Sequence, residues 1–234
     1  MEKLVPLTSD CMRYDLLVFD LDGTLVDSFA DIHSSINELL RECGGRELPE
    51  CTVRDGIGRG VRHLVRSCLA AAGLTACDLE DCLSTYGEIY QRNCLGRTEL
   101  YAGVSATLPA FAPVPLAVVS NKPEHACRAI LRGLGVEDYF VRIAGGDSYP
   151  ELKPSPLPLL RIAMELGVAV DRVLMVGDSV YDLAAAHAAG CHACAVTWGF
   201  QDAETLKALN PEYMVSAFED ILGIAGRAAT SPVS

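Results

Sequence analysis

Lysine is scarce in this chain of 234 residues: there are four, at positions 3, 122, 153 and 207, and none between 28 and 96. Cationic residues as a whole are outnumbered, 19 Lys and Arg against 31 Asp and Glu, for a formal net charge of −12. Such a balance repels a phosphate backbone, so nucleic acid is not an expected partner unless a local basic patch offsets it. No run approaches the ~18–20 uninterrupted apolar residues needed to cross a bilayer, and no membrane partner is expected. Met1 to Met12 contains Pro6, Asp10 and no apolar stretch of the secretory type, which makes the cytoplasm the expected compartment. Internal repeats are absent.

Cysteine, by contrast, is plentiful. Ten are scattered along the chain, several inside apolar helical stretches. Half of all residues are hydrophobic and 21% are charged, enough for one large domain or a core with a modest insertion. With a core of that size and no export signal, buried thiols are expected rather than a disulfide framework. Cys191-His-Ala-Cys194 is the only Cys-x-x-Cys pair and lacks the second pair of a zinc site, so it reads as a short strand.

The most informative segment is Asp15-Leu-Leu-Val-Phe-Asp20-Leu-Asp22-Gly23-Thr24-Leu-Val-Asp27-Ser28. Its apolar run from Leu16 to Phe19 reads as a buried parallel strand, which delivers Asp20 and Asp22 to its C-terminal end. Ligands of open α/β sheets bind at that end. Two acids there can divide the work, one as nucleophile and one as acid/base; Asp, Gly and Thr are also ordinary turn residues.

Beyond Tyr101 strand and helix alternate. Strands are expected at Pro115–Ser120, Phe140–Ala144, Arg172–Val176 and around Val196, with helices at Pro123–Leu134, up to Leu166, and through Ala189. This spacing predicts an α/β fold, a parallel sheet with helices on both faces. Residues 28–96 differ: three helical stretches and no strand. Phe29, Ile32, Ile36, Leu39, Leu40 and Cys43 mark the first, with Ser28 or Asp27 suited to cap it. Val61, Leu64, Val65, Cys68, Leu69 and Ala72 mark the second, and the third runs from Asp78 to Cys94. An all-helical insertion directly after the two aspartates has the position of a lid that excludes water and opens to admit substrate. The last eight residues, Arg227 to Ser234, read as a frayed tail.

Four clusters fall at the expected strand ends: Asp20/Asp22, Ser120-Asn121-Lys122, Lys153, and Gly177-Asp178-Ser-Val-Tyr-Asp182. Phosphoryl transfer needs a nucleophile, a divalent cation, donors for phosphoryl oxygens and a general acid. Carboxylates from different strand ends can hold Mg²⁺. Two of the four lysines lie in these loops, which sets Lys153 apart from a solvated loop residue.

The order DxDGT, SNK, KP, GDxxxD resembles the haloacid dehalogenase (HAD) superfamily of phosphohydrolases over residues 14–222, and the insertion resembles its type 1 cap. The wording DLDGTLVDS, VVSNKP, GGDS, VGDSVYD, AAHAAG and VTWGF is similar to its phosphoglycolate phosphatase-like members. The resemblance implies a HAD-like Rossmannoid core formed by residues 1–27 and 97–234 with a helical cap at 28–96. It implies a Mg²⁺-dependent phosphatase acting on a small phosphorylated metabolite, 2-phosphoglycolate being the leading candidate and pyrophosphate, sugar phosphates and nucleotides the alternatives, since relatives with the same core motifs hydrolyse these. Asp20 would form an aspartyl-phosphate, and Asp22 would act as acid and then base. Asp20, the Asp22 backbone carbonyl and Asp178 would hold the metal, while Asp182 would orient Lys153 or a metal-bound water. Ser120 and Lys153 join the catalytic group; Thr24, Asn121, Lys153 and Arg59 are the candidate phosphate or substrate contacts, Thr24 as a brace of the first loop. Ser155 follows Lys153-Pro154 where relatives often carry His or Ala.

Within the cap, Gly56-Ile-Gly-Arg59-Gly60 is a flexible loop that places Arg59 to meet a substrate carboxylate or phosphate. It is not a dinucleotide fingerprint. Arg62 and Arg66 belong to a solvated face, His33 and His63 to the cap surface, and His187 to the outside of the last core helix. Among family alternatives, Asp22 argues against a dehalogenase and the lysine-free cap against a phosphonoacetaldehyde hydrolase. A sugar-phosphate mutase is the runner-up: such mutases resemble this chain in all four motifs and carry a His about a dozen residues after the nucleophile, where Ile32 stands here with His33 one residue off. A receiver-like phospho-acceptor would lack the large cap and the Asp-x-Asp pair. An inactive binding protein should have lost one of Asp20, Asp22, Lys153 or Asp178, and all four are present.

Overall fold

The computed structural model describes residues 13–226. In chain order the first half contains β1 (Leu16–Phe19), β2 (Val26–Asp27), α1 (Phe29–Glu42), α2 (Glu50–Arg54), α3 (Val61–Ala71), α4 (Leu79–Asn93), β3 (Glu99–Leu100) and α5 (Val104–Thr107). The second half contains β4 (Leu116–Val119), α6 (Glu124–Gly133), β5 (Phe140–Ala144), α7 (Leu157–Leu166), β6 (Val173–Gly177) and α8 (Val180–Ala189). It ends with β7 (His192–Val196), α9 (Ala203–Lys207), β8 (Tyr213–Val215) and α10 (Asp220–Ala225).

Six strands form one sheet in the order β5-β4-β1-β6-β7-β8, each pair parallel. Parallel neighbours need long crossovers, which the helices supply. Side chains of β1 alternate between two apolar layers. Leu17 and Phe19 pack with Leu116, Val118, Leu174 and Val176 on one face. Leu16 and Val18 pack with Leu159, Ile162 and Leu183 on the other. Burial on both faces is why the strand reads as a continuous apolar run. Phe19 anchors an aromatic cluster beneath the strand ends, with ring centroids 5.7 Å from Phe218, 5.9 Å from Phe111 and 6.4 Å from Phe140.

The insertion is helical, as expected, with a short extra helix, α2. α4 starts at Asp78, whose carboxylate caps the amides of Glu80 and Asp81. At the start of α1, of the two residues suited to cap it, Asp27 is the one whose side chain accepts from a helix amide. The Ser28 hydroxyl turns to Asp22, and the carboxylate of Asp27 accepts from the Phe29 amide. Ile32, Ile36, Leu39 and Leu40 of α1 meet Leu64, Val65 and Leu69 of α3 and Tyr86 and Ile89 of α4 in a cluster continuous with one face of the sheet. Truncating such a buried residue, as in Ile36→Ala, costs ~2–5 kcal/mol.

A two-residue antiparallel ribbon, absent from the expected elements, closes the base of the insertion: Val26 pairs with Leu100 and Asp27 with Glu99. Beside it the buried carboxylate of Asp31 accepts from the amides of Arg97 and Thr98 and from the Thr98 hydroxyl. Charge-assisted hydrogen bonds of this kind contribute ~1.5–3 kcal/mol each. Two-residue strands carry no readable period, which is why neither appears in the pattern.

All nine described cysteines are free, and six of them, including Cys191 and Cys194 beside and within β7, are buried. Cys11, the Met1–Met12 segment and the Arg227–Ser234 tail lie outside the described residues. Among the described residues, no helix is long and apolar enough to cross a membrane. Two histidines correct their expected surface placement. His63 is half-buried, and half-buried His33 stacks on Phe29 with its Nε2 3.0 Å from the Leu48 carbonyl. His187 is exposed, as expected, 3.8 Å from Glu212.

Candidate active site

β1, β4 and β6 end side by side, and the loops that leave them carry the polar residues. The first loop turns tightly because the Leu21 carbonyl accepts from the amides of Thr24, Leu25 and Val26. Gly23 has φ +87°, and a Cβ there would collide with the carboxylate of Asp178. Only glycine permits both the left-handed backbone and that close approach. The Asp20 amide donates to the Val176 carbonyl at 2.9 Å, locking the start of the loop to β6.

Lys153 is the hub. It is 3% exposed, and its ammonium sits 2.6 Å from Asp182 Oδ1, 2.6 Å from the Val119 carbonyl and 3.0 Å from Asp20 Oδ1. Asp182 is held from its other oxygen by the amide and hydroxyl of Ser179, a capping box that opens α8. It therefore holds Lys153 beside Asp20. Asp178 accepts from the Phe200 amide at 2.7 Å and from the Thr24 hydroxyl at 3.2 Å. Thr24 is fully buried, so it braces Asp178 and reaches no substrate, which corrects its place among the phosphate contacts.

Carboxylate oxygens of Asp20, Asp178 and Asp182 all lie within 4.8 Å of one another. Burial, then Asp182, pushes the Asp20 carboxyl up to about 6 against the opposing pull of Lys153. Burial, then Asp182 and Asp20, raises Asp178 well above the ordinary carboxylate range. Burial pulls the Lys153 ammonium down, but Asp182 and Asp20 more than offset it and the net movement is upward. Three carboxylates and one ammonium leave two formal negative charges in a buried pocket. That donor set and that charge fit one hard divalent cation, with Asp20 and Asp178 offering oxygens while Asp182 is spent on Lys153.

Asp22 faces the opposite way. Both of its oxygens accept from Lys122 Nζ at 2.7 Å. Burial pulls that ammonium down, Asp22 and its neighbours more than offset it so the net movement is upward, and it lies 4.6 Å from the centroid of the Tyr90 ring. Asn121 is a brace: its side-chain amide donates to the carbonyls of Lys153 and Gly58, and its Oδ1 accepts from the Lys153 amide. The bond to Gly58 ties the loop after β4 to the insertion. Ser120, the residue before Asn121, is also buried.

These residues open on a cavity of about 450 Å³ whose floor includes Asp20, Asp22, Ser120, Asn121, Lys122 and Lys153. Ile32 and, from α4, Tyr86 and Tyr90 form the opposite wall. Among the described residues, Tyr90 Oη is the one buried side-chain polar atom without a hydrogen-bond partner. Arg59 does not join this group: it is exposed, 5.9 Å over the ring of Tyr181. Arg62 is exposed and paired with Glu80 at 2.7 Å, yet it borders the cavity.

The structure thus brings together Asp20, Asp22, Ser120, Asn121, Lys153, Asp178 and Asp182, and leaves Arg59 outside. Lys122 and Tyr90 are the residues the motifs underplay. The scarcity of lysine marks the first; nothing distinguishes Tyr90 from any other aromatic on an apolar helix face.

Residues 17–196 match the family model described as haloacid dehalogenase-like hydrolase. A phosphoglycolate phosphatase from Neisseria meningitidis serogroup A is 37% identical over 213 residues, covering 88% of this chain and 91% of that protein. Another, from Pectobacterium atrosepticum, is 34% identical over 218 residues, covering 92% and 93%. A crystal structure of a predicted phosphoglycolate phosphatase from Haemophilus somnus superposes with a TM-score of 0.86 at 33% identity, covering 91% of this chain and 98% of that one. Sheet order, strand-end carboxylates and these similarities over nine-tenths of the sequence agree, and the chain belongs to the haloacid dehalogenase-like hydrolases.

Proposed function

We propose that this protein is a Mg²⁺-dependent phosphatase that hydrolyses 2-phosphoglycolate, with residues 1–27 and 97–234 as its catalytic core and 28–96 as its cap. The observation that carries the reading is the buried Asp20–Lys153–Asp182 chain with Asp178 beside it, open to a cavity of metabolite size. The names of the relatives support the substrate.

In this reading an Asp20 carboxylate oxygen attacks phosphorus, the bond from phosphorus to the leaving oxygen breaks, and Asp22 in its acid form protonates that oxygen. Asp22 then takes a proton from water as the water oxygen attacks the aspartyl-phosphate, which releases phosphate and regenerates Asp20. Lys122 must yield its hold on Asp22 for this exchange, and phosphoryl oxygens compete for it. Ser120, the Asn121 backbone amide and Lys153 receive the phosphoryl oxygens. Asp20, Asp178 and the Asp22 backbone carbonyl would hold Mg²⁺, which when bound would supply charge neutralisation at the phosphoryl group.

Ile32 supports hydrolysis over the mutase alternative. It lines the cavity where a mutase presents histidine, while His33 is turned to the Leu48 carbonyl. The test is phosphate release from 2-phosphoglycolate and p-nitrophenyl phosphate, with and without Mg²⁺. Asp20→Asn should lower kcat by at least ~10³-fold. Turnover that survives in Asp20→Asn would sink the reading. A flat kcat/KM profile across a panel of phosphorylated metabolites would overturn the substrate and leave the reaction class standing.

A further inference from the structure

Away from the cavity, at the far end of the helical insertion, three cysteines converge that are separated in sequence. Cys43 closes α1, Cys77 precedes the cap of α4, and Cys82 lies in α4. Their Sγ atoms all lie within 4.8 Å of one another, with Cys43 and Cys82 3.8 Å apart. Among the described residues, no other three-member group of potential metal ligands lies outside the catalytic carboxylates.

We propose that Cys43, Cys77 and Cys82 form a three-thiolate site for a thiophilic divalent cation of the Zn²⁺ class. Zinc–sulfur bonds of ~2.3 Å at tetrahedral angles set neighbouring sulfurs ~3.8 Å apart. One pair therefore already stands at the ligand spacing, and the other two separations need to close by at most about 1 Å. A Cys43–Cys82 disulfide would instead require closure to ~2.05 Å. Cys82 is buried, whereas Cys43 and Cys77 are half-buried and give the cation a path from solvent. Binding as thiolates would release the thiol protons to solvent. A fourth coordination position is left for water.

Occupancy would join the end of α1, the α3–α4 connection and the first turns of α4. Tyr86 and Tyr90 follow Cys82 at four-residue steps on the same face of α4. The cation thus clamps the helix that presents both tyrosines to the catalytic cavity.

The test uses the reduced, metal-stripped full chain in excess Mg²⁺. Zn²⁺ is titrated against a chromophoric chelator, and Cd²⁺ is used to read thiolate-to-metal charge transfer in the near ultraviolet. One equivalent should bind, with a charge-transfer band. Cys77→Ser and Cys82→Ser should each weaken Zn²⁺ by more than ~100-fold, beyond the loss typical of a supporting contact. Cys51→Ser, an exposed cysteine, should change nothing. Circular dichroism checks each variant's fold, and if Cys82→Ser does not fold, the half-buried loop variant Cys77→Ser decides. Absence of the band, or a band undiminished in Cys77→Ser, would overturn the site.

Discussion

The salt-bridge hub at Lys153 can be taken apart one partner at a time. Asp182→Asn keeps an oxygen for the Ser179 cap, worth ~1 kcal/mol, and directs an amide N–H₂ at an ammonium that formerly had a carboxylate 2.6 Å away. Removing one partner of a buried pair costs ~3–5 kcal/mol. The remaining acceptors, Asp20 at 3.0 Å and the Val119 carbonyl at 2.6 Å, place the expected loss at the lower end of that range. At ~2–4 °C per kcal/mol for a chain of this size, Tm should fall by ~6–12 °C. Lys153→Met leaves three carboxylates within 4.8 Å of one another and no internal cation, so its cost should be similar and should shrink when Mg²⁺ is added. The double variant should be less destabilised than the sum of the singles by ~1–3 kcal/mol, because the second substitution removes the group that the first left unpaired. Urea unfolding in chelator, read as the midpoint at constant m, measures all four corners of the cycle. Additivity within ~0.5 kcal/mol, or a cost below ~1 kcal/mol for Asp182→Asn, would refute the hub.

Tyr90→Phe removes an unpartnered buried hydroxyl, so stability should hold or rise by up to ~1 kcal/mol, while kcat/KM should fall by ~2–10-fold because Oη finds its partner in substrate; an unchanged kcat/KM denies that contact. In chelator, Asp20 and Asp178 hold protons more tightly folded than unfolded, so the stability they contribute is fully present below the ordinary carboxylate range and is lost as pH rises, the Asp20 part through about 6 and the Asp178 part at higher pH. The thermal shift caused by Mg²⁺ should therefore grow across the same window. A shift independent of pH in differential scanning fluorimetry would contradict it.

How much of this was legible in advance depends on the range of the signal. β1 and its neighbours read directly, because burial on both faces leaves an unbroken apolar run and the polar loop that ends it is contiguous. Asp20, Asp178 and Lys153 could be assigned to strand ends on the same basis. Thr24 and Arg59 illustrate the limit. Both are polar residues near a motif, yet one is sealed beneath Asp178 and the other stacks on Tyr181, and only tertiary packing decides. Tyr90 and the thiol trio share another obstacle. Their meaning lies in what they face across an interhelical gap, and helical periodicity records only that a position is inward. The β2–β3 ribbon is too short to have any period.

That ribbon has a mechanical consequence. Two antiparallel segments zipped side by side resist sliding past each other but twist together, so the insertion they support can turn about one axis and has little freedom to translate. Displacement then scales with distance from the pivot. Asp22, bonded to Ser28 next to the ribbon, would sit near the fulcrum of such a turn, whereas Gly58 and Tyr90 lie out on the insertion. Rotation about that axis would break the Asn121–Gly58 bond and carry Tyr90 away from the cavity floor, with Asp20 and Asp22 left in place.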